Sequence, residues 1–336
     1  MIEVFEFSLS KASERDLAEY HQMFAAAYAV DRPREPVPAF EAAIGHIQSP
    51  LYGSAASLHW AARVDGRLYG LAKVGLPNAE NAHLAFIQIR VHPERRHEGV
   101  GKALLREAVR AIHAEGRPLI TAWGVTAESD AEAWAKRLGA KAVHRDVLQI
   151  LDLKSADQSL WDVSVHTGYS LTRWIGATPD DLLETFANAR SAIHDAPTHE
   201  SSKRLPMWTA ERVRQEEQSR VDRGVEQRVV AAIVDSTNEV AGLTVLELHA
   251  HRPEDGFQHD TAVLVQHRGR GLGLAMKAEM LRWLAAERPI VRRIGTSTAD
   301  DNVHMIRVNL QLGFETQRKM VDFEIASEYL LTTLGG

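Results

Sequence analysis

The sequence predicts an α/β protein built from two copies of one domain, and two observations carry that prediction. Landmarks in the first half return in order in the second. Gly70-Leu71-Ala72 returns as Gly242-Leu243-Thr244, Gly99-Val100-Gly101 as Gly271-Leu272-Gly273, and Leu138-Gly139-Ala140 as Leu312-Gly313-Phe314. The separations are 172, 172 and 174 residues in a chain of 336. A period this long marks two copies of a fold, not a solenoid. Secondly, each half alternates β-rich runs with segments of helical period. The length suits two domains of about 100–200 residues each.

In the first half, Val4 to Leu9 reads as a strand, and Ser13 caps a helix carrying Leu17, Tyr20, Phe24 and Tyr28. Pro36 to Pro38 break the chain before a second short helix. Strands at 57–64 and 68–76 are joined by Asp65-Gly66, a hairpin signal. A strand at 83–91 precedes a helix at 99–115, where Val100, Leu104, Ala108 and Ile112 recur at helical spacing. Strand 119–123, helix 129–138 and strand 142–151 complete the copy. The sequence then turns polar, which divides the chain into residues 1–153, a linker at 154–167 and a second domain at 168–336.

The second copy opens with a strand at Tyr169–Ile175. Thr178-Pro179-Asp180-Asp181 has the pattern of an N-cap followed by proline and acids in the first turn. A charged helix follows at 209–222, then strands at 228–234, 240–249 and 258–265. Helix 271–287, strand 291–297, helix 301–311 and strand 316–326 finish it.

Composition narrows the function. The chain is 45% hydrophobic and 25% charged, with a net charge of −6, which argues against nucleic acid as a partner. There is no cysteine, so disulfides, thiolate metal sites, iron–sulfur clusters and cysteine-linked acyl-enzymes are all excluded. The opening MIEVFEFSLSKASERDL lacks the pattern of a signal peptide, and no apolar run reaches the ~18 residues of a membrane helix. A cytoplasmic protein without a membrane partner is expected.

Two glycine turns carry the chemistry. Arg96-His97-Glu98-Gly99-Val100-Gly101 and Arg268-Gly269-Arg270-Gly271-Leu272-Gly273 each link a strand to a helix. Glycine lets backbone approach a ligand closely, and the free N–H groups at a helix start suit a pyrophosphate. A Walker A loop would need glycine at Arg96 and Ser or Thr at Ala103. A dinucleotide fingerprint would need glycine or alanine at Leu104 and Met276, soon after a first strand. Neither pattern fits.

With these turns, their preceding strands and the later Leu-Gly-Ala and Leu-Gly-Phe, both halves resemble the GNAT superfamily of acyl-coenzyme A-dependent N-acetyltransferases. The pairing is similar to that of tandem members such as the mycothiol synthases. The resemblance implies a mixed sheet, flanked by helices, that splays between its fourth and fifth strands. Coenzyme A would lie in the split, with its pyrophosphate on the glycine turn. Carried over residue by residue, the first turn would offer the amides of Arg96, His97, Glu98, Gly99, Val100, Gly101 and Lys102. The second would offer those of Arg268, Gly269, Arg270, Gly271, Leu272, Gly273 and Leu274. Val91 and Val265 are expected at the strand ends beside pantetheine, and Asn302 and Asn309 on the helix beside the cofactor. An ordinary helix cap is the other reading of Asn302.

The family reaction is direct attack of an amine on the acetyl thioester in a ternary complex. Neutralising a lysine-like amine at pH 7 costs about 4.6 kcal/mol, which a general base and displacement from water share. Many members supply a tyrosine as proton donor to the leaving thiolate; the matching positions here are Ala135 and Asn309. For the base, the first half offers no carboxylate in His83-Leu84-Ala85-Phe86-Ile87-Gln88-Ile89-Arg90, whereas the second has His259, Asp260 and Glu247. His259 falls near the glutamate base of the tandem members. The C-terminal half is therefore expected to be catalytic, the first half a coenzyme A binder without turnover or a scaffold.

His249-x-His251 with His259 lacks a third ligand at motif spacing, so no metal is expected. Trp174, Trp208 and Trp283 read as packing anchors, and 194–208, with its Asp195-Ala196-Pro197 turn, as the acceptor-specificity segment. The expected partners are acetyl-CoA and a small-molecule amine, with the chain a monomer or homodimer. The alternative is an acyl-CoA sensor or scaffold of the same fold. Thiol release with a panel of amines separates the two.

Overall fold

The computed structural model describes residues 1–51, 53–195, 197 and 199–335. The first half of the chain runs β1 (Ile2–Glu6), α1 (Glu14–Asp31), α2 (Phe40–Gln48), β2 (Ser54–Val64), β3 (Arg67–Pro77), β4 (Leu84–Val91), α3 (Val100–Ala114), β5 (Leu119–Thr126), α4 (Asp130–Arg137) and β6 (Lys141–Asp152). The second runs β7 (Tyr169–Ile175), α5 (Leu183–Ser191), α6 (Ala210–Asp222), β8 (Val225–Val234), β9 (Val240–His249), β10 (Asp255–Val263), α7 (Leu272–Glu287), β11 (Arg293–Ala299), α8 (Val303–Gln311), β12 (Glu315–Ala326) and α9 (Ser327–Thr333).

Local chemistry accounts for the helix starts. Ser13 and Asp16 form a reciprocal capping box on α1, and Thr209 accepts from Arg212 N at the start of α6. Thr178 does not cap a helix as its pattern suggested. Its amide and hydroxyl both donate to Glu217 on α6, at 2.8 and 2.7 Å. The chain enters α5 through a 3-10 turn at Asp180–Leu182 instead. In the segment 154–167, Trp161 lies on a 3-10 turn, buried, and donates from Nε1 to the Leu312 carbonyl at 3.1 Å.

Contacts group the chain into two compact units that are not contiguous in sequence. One holds residues 1–145, 199–204 and 320–336, and the other residues 146–198 and 205–319. Strand pairing explains the interleaving. The last strand of the chain, β12, runs antiparallel to β5 of the first unit, whereas β6 runs antiparallel to β11 of the second. The strand orders are β1-β2-β3-β4-β5-β12 and β6-β11-β10-β9-β8-β7. The repeat divides the sequence near 153; the pairing divides the fold by exchanging the last strand of each half.

Each sheet is mixed, and each splays. β4 and β5 pair in parallel only where Leu84–Phe86 face Leu119–Thr121. β10 and β11 pair in parallel only where Asp255–Phe257 face Arg293–Gly295. Beyond Phe86 and Phe257 the strands separate, and their backbone groups are left without a parallel partner.

Helices cover both faces. In the first unit α3 packs on Ala72, Val74 and Ile87, and α1 and α2 pack on Ala61 and Leu71. In the second, α7 packs on Val230 and Leu246, and α5 and α6 pack on Val229, Ala231, Leu243 and Val245. The period-2 alternation along each strand thus decides which side chains meet α3 or α7 and which meet the opposite helix pair. Fully buried residues such as Leu104, Met276 and Leu281 each contribute about 1.5–3 kcal/mol.

Candidate active site

The glycine turns lie where each splayed strand ends. Gly99 and Gly271 take left-handed φ values of +89° and +70° and cap α3 and α7. His97 is left-handed at +64° where the second copy has Gly269 at +78°. A Cβ added at Gly269 or Gly271 would meet no atom within 4 Å, so the second turn is open. In the first, a Cβ at Gly99 would meet only Ile2, at 3.8 Å. A Cβ at Gly101 would lie 3.6 Å from the Trp134 ring and 3.7 Å from Val91.

Side chains in the turns serve the turns themselves. Arg268 donates from Nε to the Val263 carbonyl at 2.9 Å and pairs with Asp195 at 2.5 Å. Arg96 does the same with the Val91 carbonyl at 3.2 Å and binds Asp31 through two bonds of 2.8 Å. Arg270 donates to the Gln266 carbonyl. Val100 and Leu272 point into the cores. What Arg96 to Lys102 and Arg268 to Leu274 offer outward is chiefly backbone N–H at a helix start.

Val265 lies away from its expected place, and the cap reading of Asn302 holds. Val91 ends β4, but β10 ends at Val263, and Val265 lies beyond it in a 3-10 turn, 65% exposed. Sheet register makes Val263, opposite Gly242, the counterpart of Val91, opposite Gly70. Asn302 caps α8, its side chain accepting from Met305 N at 3.1 Å. Asn309 is fully buried and donates to Gln149 Oε1 at 2.8 Å, so its amide faces the interior.

The second unit brings Glu247, His259 and Asp260 onto the α5–α6 face of its sheet. The β9–β10 register shifts between Gln258 and Thr261. Such a bulge turns two successive residues toward one face. His259 Nε2 lies 3.1 Å from Glu247 Oε2, and Arg220 on α6 donates to the other carboxylate oxygen at 2.6 Å. Asp260 accepts from Arg190 on α5 at 3.0 Å, and the Arg190 guanidinium stacks 3.5 Å over the Trp208 ring.

Burial pushes the Glu247 carboxyl upward. The hydrogen bond and charge of His259, with the charge of Arg220, outweigh this and hold it well below the usual carboxylate range. Burial lowers His249 to about 4 against the pull of Glu247, and lowers His251 as well. The His249 and His251 rings lie 5.4 Å apart, tilted by 55°, and among the described residues no third ligand joins them in metal-binding geometry.

The first unit lacks this group. Phe86 and Phe257 are the last residues paired before each split, and they align the copies. Gly75 faces Phe86 where Glu247 faces Phe257, and Gln88 follows where His259 does. No bulge interrupts the β3–β4 register.

A model described as the acetyltransferase (GNAT) family matches residues 17–140 and again residues 191–314. The chain belongs to that family. It carries two GNAT domains and is an N-acetyltransferase by family. A mycothiol acetyltransferase of Nocardia farcinica is 32% identical over 173 residues, which cover 52% of each chain. The match thus spans about half of that relative. One of Mycobacterium avium is 26% identical over 260 residues, 72% of this chain and 74% of the relative. A solved tandem GNAT protein from the clavulanic acid biosynthesis pathway is 28% identical, with a TM-score of 0.78 over 97% of this chain and 99% of that one. A GCN5-related N-acetyltransferase from Sphaerobacter thermophilus, 16% identical with a TM-score of 0.73 over 97% and 96%, shares the fold.

GNAT enzymes generally use acetyl-CoA, and the residues of the second unit suit it. An open turn of N–H donors caps α7, and Val265 and Val303 expose apolar surface beside the split. Trp174 and Trp283 are core residues. The segment 194–208 divides: Ala196 and Thr198 lie outside the described residues, Trp208 stays beside Arg190, and 199–204 joins the first unit, where Arg204 and Asn81 exchange two hydrogen bonds. Sequence reading missed Arg190 and Arg220, because a charged helix face gives no sign of which arginine turns inward.

Proposed function

We propose that the chain moves acetyl from acetyl-CoA to a small-molecule amine by direct transfer, with the chemistry in the C-terminal unit. The reading is carried by one observation: His259 and Glu247 face each other beside the open split, whereas the other copy has Gln88 and Gly75 in their places. Acetyl-CoA supplies an activated thioester carbonyl; its pyrophosphate would take the amides from Arg268 to Leu274, with Val263 at the strand end beside its apolar arm.

His259 is the general base. It is 40% exposed and open to an incoming amine, while Glu247 holds its ring through Nε2. Arg220 holds Glu247 from behind and is a positioning residue. Asp260, turned to the same face by the bulge, draws an ammonium toward the site. The ammonium gives one proton to water, the neutral amine attacks the carbonyl carbon, His259 takes a second proton from the nitrogen as the C–N bond forms, and the C–S bond breaks to release the thiolate. A thiol of pKa about 8.5 needs its proton back near neutral pH, and the proton held by His259 balances the step. No tyrosine is needed at Ala135 or Asn309 for that exchange.

Thiol release from acetyl-CoA, followed across a panel of amines, tests the reading. The amine acylated by the mycothiol acetyltransferases belongs in the panel because related chains carry that name. Saturable release with at least one amine is expected. Tight acetyl-CoA binding with no release above background would refute it.

A further inference from the structure

The first unit carries a cationic cluster that the second copy lacks. His59, Lys73 and Arg90 lie on neighbouring strands β2, β3 and β4. Ala62, Ala72 and Ile87 point to α3, so the alternation sends all three to the α1–α2 face. In the second copy the corresponding register positions hold Val229, Val245 and Ala262, all buried. The same fold therefore fills these three positions with apolar residues in its other copy. Burying charge costs several kcal/mol per ion unless a partner offsets it.

The local partners are few. Lys73 donates to the carbonyls of His46 and Ser49, at 2.8 and 2.5 Å, at the end of α2, leaving one of its three donors. The Arg90 guanidinium stacks 4.3 Å over Phe24, and no acceptor hydrogen-bonds it among the described residues. Of the neighbouring groups on α1, Asp31 is engaged by both donors of Arg96, and Tyr28 donates to Glu35, which also pairs with Arg32. Tyr20 donates to the Ala43 carbonyl. His59 is 8% exposed, hydrogen-bonds the Ile47 backbone, and keeps Nε2 without a partner. Two cations and an orphaned imidazole nitrogen thus share one face, and the one carboxylate acting on Arg90, Asp31, has both oxygens engaged by Arg96.

We propose that the N-terminal unit binds a small oxyanion-bearing molecule, through a carboxylate or phosphate group, on the α1–α2 face of its sheet. Arg90 is the anchor, Lys73 supplies a second positive charge, and His59 Nε2 accepts from a hydroxyl or amine on the same ligand. The site lies on the opposite sheet face from α3. It is independent of transfer in the C-terminal unit.

Calorimetry on the full chain tests it, with coenzyme A saturating so that phosphate does not report on the glycine turns. Inorganic phosphate is titrated in one arm and succinate in the other, at constant ionic strength. One arm saturates, which identifies the anion. Arg90→Gln weakens binding at least about tenfold, since a charge-assisted bidentate contact is lost, and Arg90→Lys recovers part of it. Hydrogen exchange on the unmodified protein supplies a reading that needs no variant: the bound anion protects α1, α2 and β4. No saturation in either arm, equal affinity in Arg90→Gln, or no protection of these elements would overturn the proposal.

Discussion

Glu247 and His259 stand 3.1 Å apart on adjacent antiparallel strands, the carboxylate held from its other oxygen by Arg220. Replacing His259 with Gln removes the base but leaves a polar side chain on the strand. Turnover should fall by about 10²- to 10⁴-fold with acetyl-CoA affinity unchanged. Glu247→Gln should lower turnover less, because the imidazole remains and only its orientation and charge support are lost. Steady-state kinetics on both variants, with acetyl-CoA binding measured separately, checks the order. Full activity in His259→Gln would remove it from the mechanism.

The two glycine turns should respond differently to one substitution. Gly271→Glu places bulk and negative charge in the anion cradle, and its left-handed φ of +70° adds about 1–2 kcal/mol of backbone strain. Turnover should be abolished. Gly99→Glu carries similar strain at +89°, yet should leave much of the activity, since the chemistry is assigned to the other unit. Melting curves separate unfolding from lost binding. The reverse pattern in folded proteins would move the chemistry to the first unit.

Arg190 is buried between the Trp208 ring and Asp260. Arg190→Gln should free Asp260 to move and unstack Trp208. An acceptor drawn in by Asp260 should then show a KM raised about tenfold, with a smaller change in kcat. Equal loss with every amine, charged or neutral, would indicate a packing role alone.

What could be read from sequence follows from what is local. The repeat, the glycine turns and the helix starts at Ser13 and Thr209 depend on residues a few positions apart, and the structure has them. The bulge at His259-Asp260 is a register shift against β9, and one strand read alone cannot show it. The exchange of β6 and β12 is equally non-local, since each strand has the same pattern whichever β5 or β11 it meets. Arg220 and Arg190 come from helices packed over that face. Val265 was misplaced because the apolar run continues past Val263 while the backbone has already turned.

Lys277 gives a pH signature that the catalytic groups do not share. It lies on α7, 1% exposed, with its ammonium 5.4 Å from the Phe314 ring, and burial pushes its pKa from 10.5 down to about 7. The unfolded chain keeps the proton up to about pH 10.5, whereas the folded chain releases it near 7. Between those values unfolding takes up a proton, so stability rises with pH, by at most about 1.4 kcal/mol per pH unit. Below 7 both states are protonated and the penalty is constant; above 10.5 it is gone. Lys277→Met fills the site without a charge, so the variant should be more stable at neutral pH and the difference should shrink as pH rises. Urea unfolding of both proteins at about pH 7, 8 and 9 measures it as a difference, which cancels the other titrating groups. A difference that stays flat across that range would mean that Lys277 keeps its proton when folded and finds a partner in the core.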